Sequence, residues 1–528
     1  MIRRRLTVGL AACALLASSV GVAGVGPATA APAGDDPAQQ WRGYWVDAFN
    51  EGIYQPAEVT KLVEDALDLN ANVLIVQTAR RYDCFCNRAL YPRTDAGIDP
   101  APYDPLDEVI TQAHAAGLEV HAWVNVNTLW NQATPPSSPE HVFNQHGPDA
   151  AGADRWLNQR VDGEEFMGDN VYIDPANPAA VNYIVEAVQS IVREYDVDGV
   201  NLDYVRYPDF NSSTEYSDWG YSEVSISRFQ QATGRSDIPE PSDAEFSDWR
   251  RDQMTNLVRK IYLGMWEVDP QARLSMDAVT YAYGPQTMGS WEQTRPYAEV
   301  LQDWKGWLDG GFMDTAVAMN YKRNWMPEQA QMYDEWSEVL ADWQGDRQTV
   351  NGPALYLNSI EDSVVQAELA LTPTDAGNTV AGWAGYSYAN PSMEYVDGPI
   401  ESRDAEREAL AAALTSGDDA LFGEPAAVPE MPWKADPTEG HVVGELTLRD
   451  GSPLANVAVT LSPIVGGGEP QTLRTDGDGW FGFVHAEPGR YLVTLDLPNG
   501  VVGPPLRVVN VTAGEIAEAQ FRPLQTRP

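Results

Sequence analysis

The stretch Asp198-Gly199-Val200-Asn201-Leu202-Asp203-Tyr204-Val205-Arg206-Tyr207-Pro208 decides the fold. Val200 and Leu202 read as buried strand residues. Asp203, Tyr204, Arg206 and Tyr207 collect where the strand ends, and Pro208 stops it. A carboxylate at the C-terminal end of a buried parallel strand is where a (β/α)₈ barrel carries its chemistry. The plainer alternative is an Asp203–Arg206 ion pair that ties down a loop.

Outward from this strand, short apolar runs alternate with helical segments from about Trp41 to Asn390, the signature of a parallel α/β fold. Strands are predicted at Arg42–Phe49, Asn72–Thr78, Leu118–Asn125, Gly199–Tyr204, Arg273–Val279, Thr315–Tyr321, Pro353–Leu357 and Val380–Tyr388. Helices are predicted at Pro56–Leu69, Pro105–Ala116 and Pro178–Tyr195. In the last, Val181, Ile184, Val185, Val188, Ile191 and Val192 recur at helical spacing behind a proline suited to the first turn. The expected fold is a (β/α)₈ TIM barrel followed by a small all-β sandwich. An open doubly wound sheet is the alternative, but no Gly-rich phosphate turn follows the first strand. Val126 to Asn177 is a connection of about fifty residues. One of that length in a compact domain is usually a lid or binding loop.

Residues 1–30 read as a signal peptide, with Arg3, Arg4 and Arg5, an apolar run and Ala28-Thr29-Ala30 as cleavage site. Secretion is expected, extracellular or associated with the cell wall. The run Leu10-Ala11-Ala12-Cys13 resembles a lipoprotein box but lies too close to the arginines. No later run is long and apolar enough for a membrane span. The barrel is assigned to 36–424, a Pro-rich linker to 425–440 and the β-sandwich to 441–524. Cys84 and Cys86 are separated by one residue, an unusual spacing for a metal site. Free thiols and a local disulfide both remain open.

The formal net charge is −43, from 77 acidic and 34 basic residues, which repels nucleic acid and anionic membranes. With 17 Trp and 23 Tyr, the chain suits neutral ligands with apolar faces, of which sugars are the commonest outside the cell; core filling is the plainer reading. His residues are few and none stands in ligand spacing. No metal or cofactor is expected.

Polar residues fall at the C-terminal ends of nearly every predicted barrel strand. Glycoside cleavage needs two carboxyl groups, one acid and one nucleophile or base. Asp203 and Asp277 come from neighbouring strands and form the first candidate pair. Arg206 would keep Asp203 ionised, while the apolar surroundings of Asp277 would raise its pKa and suit it to the acid role. Asp47, Glu164 and Glu165 are rivals for the acid. Asp47, Arg80, Trp123, Asn125, Tyr204, Arg206, Asn320, Tyr321, Trp383 and Tyr386 are the candidate substrate-binding residues.

Four segments carry a resemblance: Arg42-Gly43-Tyr44-Trp45-Val46, Asp174-Pro175-Ala176-Asn177-Pro178, DVDGVNLDYVRYP from Asp196, and Met319-Asn320-Tyr321-Lys322. Through them Trp41 to about Pro391 resembles the glycosyl-hydrolase-like family ten of exported bacterial proteins. The resemblance implies a barrel that hydrolyses glycosidic bonds, with peptidoglycan glycan strands as a candidate substrate. Chitinase-like barrels instead carry Asp-Gly-x-Asp-x-Asp-x-Glu on strand four. Here Asn201 and Val205 replace its second Asp and its Glu, so a substrate-assisted chitinase mechanism is not expected. TDGDGWFGF from Thr475 and PGRYLVTL from Pro488 resemble the carboxypeptidase-regulatory or prealbumin-like sandwich, which implies a spacer or a means of cell-wall attachment. Asp476 and Asp478 there suit a plain turn better than a Ca²⁺ site. The functional expectation is a secreted glycoside hydrolase acting on an extracellular polysaccharide. A non-catalytic carbohydrate-binding surface protein is the rival, favoured if Asp203 lacks a second carboxyl group nearby. A hydrolase or lyase acting on another exported polymer is a second.

Overall fold

A computed structural model describes residues 38–395, 399–465 and 468–525, so the signal-peptide reading falls outside the described residues. Eight parallel strands close into a barrel: β1 (Trp41–Val46), β2 (Val73–Arg80), β3 (Glu119–Asn125), β4 (Gly199–Asp203), β5 (Arg273–Val279), β6 (Thr315–Asn320), β7 (Gln348–Pro353) and β8 (Gly382–Tyr386). Each pairs with the next, and β1 pairs with both β2 and β8, which completes the circle.

Helices follow the strands and cover the outside: α1 (Pro56–Asp68), α2 (Pro105–Ala116), α3 (Pro178–Glu194), α4 (Ala244–Val268), α5 (Trp304–Asp309), α6 (Pro327–Trp343), α7 (Ile360–Leu371) and α8 (Asp404–Thr415). Helix α3 shows why. Pro178 opens it, and the Asn177 side chain accepts hydrogen bonds from the Ala179 and Ala180 N–H groups. Its predicted apolar stripe is buried against the sheet. Among the described residues no helix is long and apolar enough to cross a membrane.

Alternation along the strands creates two cores. Trp41, Trp45, Val73, Ile75, Trp123, Val317, Val350 and Ala384 fill the barrel interior. Neighbours of opposite parity, such as Leu74, Leu202, Met276 and Trp383, pack under the helices.

The seventh strand lies earlier than the sequence suggests: β7 covers Gln348–Pro353, and Leu355–Leu357 is a 3₁₀ turn. The run is polar and therefore hidden from a hydrophobicity pattern. Thr349 Oγ1 donates to the Leu340 carbonyl and Asn351 Nδ2 to Ser337 Oγ, so its outward polar groups are satisfied by α6. The long connection after β3 is also less open than its length implies. It carries a small antiparallel sheet of Thr128–Trp130, Asn170–Tyr172 and Phe166–Met167.

The C-terminal region holds β9 (Gly440–Leu446), β10 (Ala458–Val465), β11 (Gln471–Arg474), β12 (Trp480–Ala486), β13 (Gly489–Leu495), β14 (Leu506–Val511) and β15 (Ile516–Phe521). Sheets of order β12-β9-β15 and β11-β10-β13-β14 share one apolar core that includes Val442, Val459, Phe481 and Val493. Asp476 and Asp478 receive Lys260 of α4 at 3.1 and 3.2 Å, an ion pair between the two regions.

The Pro-rich stretch read as a linker is docked rather than free. Its carbonyls accept hydrogen bonds from Arg273 at Pro429 (2.7 Å) and from Gln348 at Glu430 (2.9 Å). Trp433 and Lys434 reach Asp314 at 2.7 and 2.8 Å. These partners all sit at the N-terminal ends of strands, so the segment closes the barrel floor. Composition marks such a run as irregular; its partners are set by tertiary contact alone. Lys434 and Asp314 are both buried. Removing one member of such a pair strands the other charge. Lys434→Met is expected to cost about 3–5 kcal/mol of stability in chemical unfolding. Adding Asp314→Asn should recover part of that loss.

Candidate active site

A cleft of about 390 Å³ opens at the C-terminal ends of the barrel strands. Trp123, Asn125, Asp203, Tyr204, Arg206, Asp277, Tyr321 and Tyr386 line it, joined by residues such as Gln77, Arg81, Lys322 and Tyr356. A larger hollow of about 600 Å³ lies between α6 and α7 on the outer surface, away from these strand ends.

Asp203 ends β4. The ladder sets it beside Asn125 of β3 and pairs Leu202 with Met276 of β5, so Asp203 and Asp277 are the next residues on adjacent strands. The Asp203 carboxylate is held from three sides. Oδ2 accepts hydrogen bonds from Trp123 Nε1 and Asn125 Nδ2, both at 3.1 Å, and Oδ1 from the Tyr204 N–H at 2.7 Å. Asn125 is itself oriented by Gln77, whose Nε2 donates to Asn125 Oδ1 at 3.0 Å and whose Oε1 accepts from the Ala48 N–H at 2.9 Å. This chain leaves the Asn125 amide only one way to face, with its N–H toward Asp203.

Asp277 is held differently. Its Oδ1 accepts a hydrogen bond from Trp45 Nε1 at 3.1 Å, and the Asn201 side chain also favours its ionised form. Trp45 belongs to β1 and crosses the barrel interior past Gly352 of β7. A Cβ at that glycine would stand 2.4 Å from the indole, so only glycine admits the crossing.

The two carboxyl groups therefore differ electrostatically. Burial raises Asp203 above the usual carboxylate range, but the Arg206 charge, the Tyr204 N–H and the Trp123 indole oppose the rise. Burial pushes Asp277 well above that range, and the negative charge of Asp203 pushes it further. Both influences favour the negative charge on Asp203 and the proton on Asp277.

Aromatic rings form the opposite wall. Tyr321 and Tyr386 lie 5.1 Å apart between centroids, and Trp45, Trp123 and Tyr356 meet one or both of them edge-on. Such faces suit the C–H surfaces of a sugar ring.

Other sequence-predicted residues lie elsewhere. Arg206 pairs with Asp209 at 3.5 Å rather than with Asp203, and its guanidinium lies over the Tyr204 ring. The Asp203–Arg206 loop tie is thereby replaced by a longer-range electrostatic influence. Asp47 Oδ1 accepts from the Phe49 and Asn50 N–H groups and Oδ2 from Ser387 Oγ, so it fastens the β1 and β8 exits outside the cleft lining. Arg80 turns back to the Ala48 carbonyl. Asn320 and Trp383 face the helices: Asn320 donates to the Tyr333 carbonyl, and Trp383 packs on Tyr44 and Phe422. Each has the parity opposite to an inward-facing neighbour, Tyr321 in the cleft or Ala384 in the barrel interior, which is the physical reason for the correction. Glu165 pairs with Arg155, and Glu164 is exposed outside the cleft lining. Cys84 and Cys86 are joined in a disulfide. Among the described residues no cluster of His, Cys, Asp or Glu is placed to hold a metal ion.

Fold and cleft together have the form of a glycoside hydrolase: a closed parallel barrel with two unequal carboxyl groups side by side at its C-terminal rim. The chain belongs to the glycosyl hydrolase-like 10 family, which matches residues 40–366. It is 25% identical over 406 residues to the glycosyl hydrolase YngK of Bacillus subtilis, covering 72% of this chain and 69% of YngK. It is 25% identical over 267 residues to the glycosyl hydrolase DigH of Escherichia coli K12, covering 46% of this chain and about half (51%) of DigH. Among solved structures, the glycoside hydrolase domain of PgaB (BpsB) from Bordetella bronchiseptica aligns with 71% of this chain and 98% of its own, at 14% identity and a TM-score of 0.48.

Proposed function

We propose that the protein is exported and cleaves a glycosidic bond within an extracellular polysaccharide. Asp203 acts as the ionised nucleophile or base, and Asp277 as the acid that protonates the leaving oxygen. The observation that carries this reading is the unequal pair: adjacent carboxyl groups, one steadied as an anion and the other driven toward its protonated form. The presence of Asp277 beside Asp203 favours turnover over carbohydrate binding alone. Peptidoglycan glycan strands are the candidate substrate, on the sequence resemblance of the barrel. The Arg-led apolar N-terminus supports export, and the C-terminal sheets would serve as spacer or cell-wall attachment.

The test is reducing-end release by the purified mature chain from peptidoglycan strands, with and without stem peptides, and from neutral plant and fungal polysaccharides. Release from stem-free strands is the expected result. No release from any glycan, with binding intact, would sink the hydrolase reading.

A further inference from the structure

Arg81 brings a cation into the cleft, and among the described residues its guanidinium has no ion-pair partner. The β2 ladder slips register between Gln77 and Ala79, and the two residues that follow β2, Arg81 and Tyr82, take φ values of 60° and 69°. Two consecutive non-glycine residues in the left-handed region persist only where their surroundings hold them. Here they are held. Tyr82 is buried and its hydroxyl donates to the Val126 carbonyl at 2.5 Å. His141 Nδ1 accepts from the Phe143 N–H, which leaves the proton on Nε2 to donate to the Arg81 carbonyl at 3.0 Å. Beyond them the chain folds back on β2 at Asp83–Cys84, beside the disulfide.

The result is a guanidinium carried into the cleft by a braced backbone. Its Nε is buried without a hydrogen-bond partner, and the guanidinium carbon lies 5.0 Å from the Phe49 ring. Among the described residues it makes no salt bridge, whereas Arg206 pairs with Asp209 and Arg80 with the Ala48 carbonyl. A chain with 77 acidic and 34 basic residues has carboxylates to spare, yet among the described residues none meets this one at ion-pair distance, and Asp203 acts on it from further away.

We propose that Arg81 is a specificity-determining residue that receives a carboxylate carried by the sugar on the β2 side of Asp203, so that the preferred glycan is an acidic one. A guanidinium offers a planar fork of N–H donors that matches a carboxylate bidentately. A neutral sugar would leave these N–H donors unmet, with the Asp203 charge acting on them only at longer range. The inference rests on the glycoside hydrolase reading and deepens it.

The test compares peptidoglycan strands freed of stem peptides with the same strands after amidation of their carboxylates, and a polyuronate with its carboxyl-reduced neutral form. The parent should cleave the acidic member of a pair at least about tenfold better in kcat/KM. Arg81→Ala should erase that preference by lowering the rate on acidic forms by about that factor more than the rate on neutral ones, and Arg81→Lys should restore part of it. Binding of the same probes by calorimetry, in an Asp203→Asn background, reads the preference without turnover. An equal loss on acidic and neutral forms would mean that Arg81 acts only through the charge of Asp203, and the inference falls. A parent indifferent to amidation overturns it while leaving the hydrolase reading intact. If the parent cleaves nothing, the hydrolase reading falls, and the calorimetric preference or its absence decides the role of Arg81.

Discussion

Replacing Asp203 with Asn is expected to lower kcat by on the order of 10⁴-fold or more while the protein stays folded. The amide keeps the shape of the carboxylate and one acceptor for Trp123, Asn125 or the Tyr204 N–H, but it cannot attack a sugar or take a proton. Donors left without an acceptor lower stability by an amount that does not depend on pH, while loss of the buried charge raises it in a pH-dependent way. Burial holds the folded pKa of Asp203 above its unfolded value, so this group's contribution to stability is present at low pH and is lost as pH rises through the folded pKa. The variant lacks that loss, and its melting temperature relative to the parent's should climb as pH rises from the unfolded pKa through the folded one and level off above it. Near-normal turnover would remove Asp203 from the chemistry. Lost turnover together with loss of the folded state would assign it to the fold.

Asp277→Asn should cost about 10²–10⁴-fold in kcat on a natural glycan. The loss should shrink sharply on an aryl glycoside whose leaving group needs no proton. The pH profile carries the sharper signature. The parent should lose activity at low pH as Asp203 takes up a proton, and at higher pH as Asp277 releases one, with the two apparent pKa values belonging to the pair. In Asp277→Asn the alkaline fall should disappear. Because the charge of Asp203 raises Asp277, the Asp203→Asn variant should also titrate Asp277 at lower pH, measurable by carboxyl infrared bands. An alkaline fall that survives in Asp277→Asn would send the search for the acid elsewhere in the cleft.

The barrel was readable because its strands are short apolar runs with helical spacing between them, as at α3. Strand β7 was not, since its outward polar groups are answered by α6, and Tyr356 just beyond it was missed with it. Asp203 and Asp277 stood out as carboxylates at strand ends. Their placement beside one another depends on register, which the ladder supplies. Choosing both Tyr321 and Asn320, or both Tyr386 and Trp383, ignores alternation: one residue of each pair must turn toward the helices. The exchange of Arg80 for Arg81 had no such cue. A one-residue slip in β2 and two left-handed residues after it decide which arginine enters the cleft, and neither leaves a glycine or proline behind as a sign. Trp45 lies far from Asp277 in sequence, and only the closed barrel brings its indole across.

The floor laid by the Pro-rich segment sets the order in which the barrel can mature. Arg273 finds its carbonyl partner at Pro429, 156 residues later in the chain. As synthesis proceeds from the N-terminus, all eight strands are available before their lower rim is sealed. A chain cut between β8 and Pro425 would hold every cleft residue and still leave Arg273, Asp314 and Gln348 short of their partners. The smallest self-sufficient hydrolase therefore extends at least to Lys434, well beyond the last residue that touches the cleft.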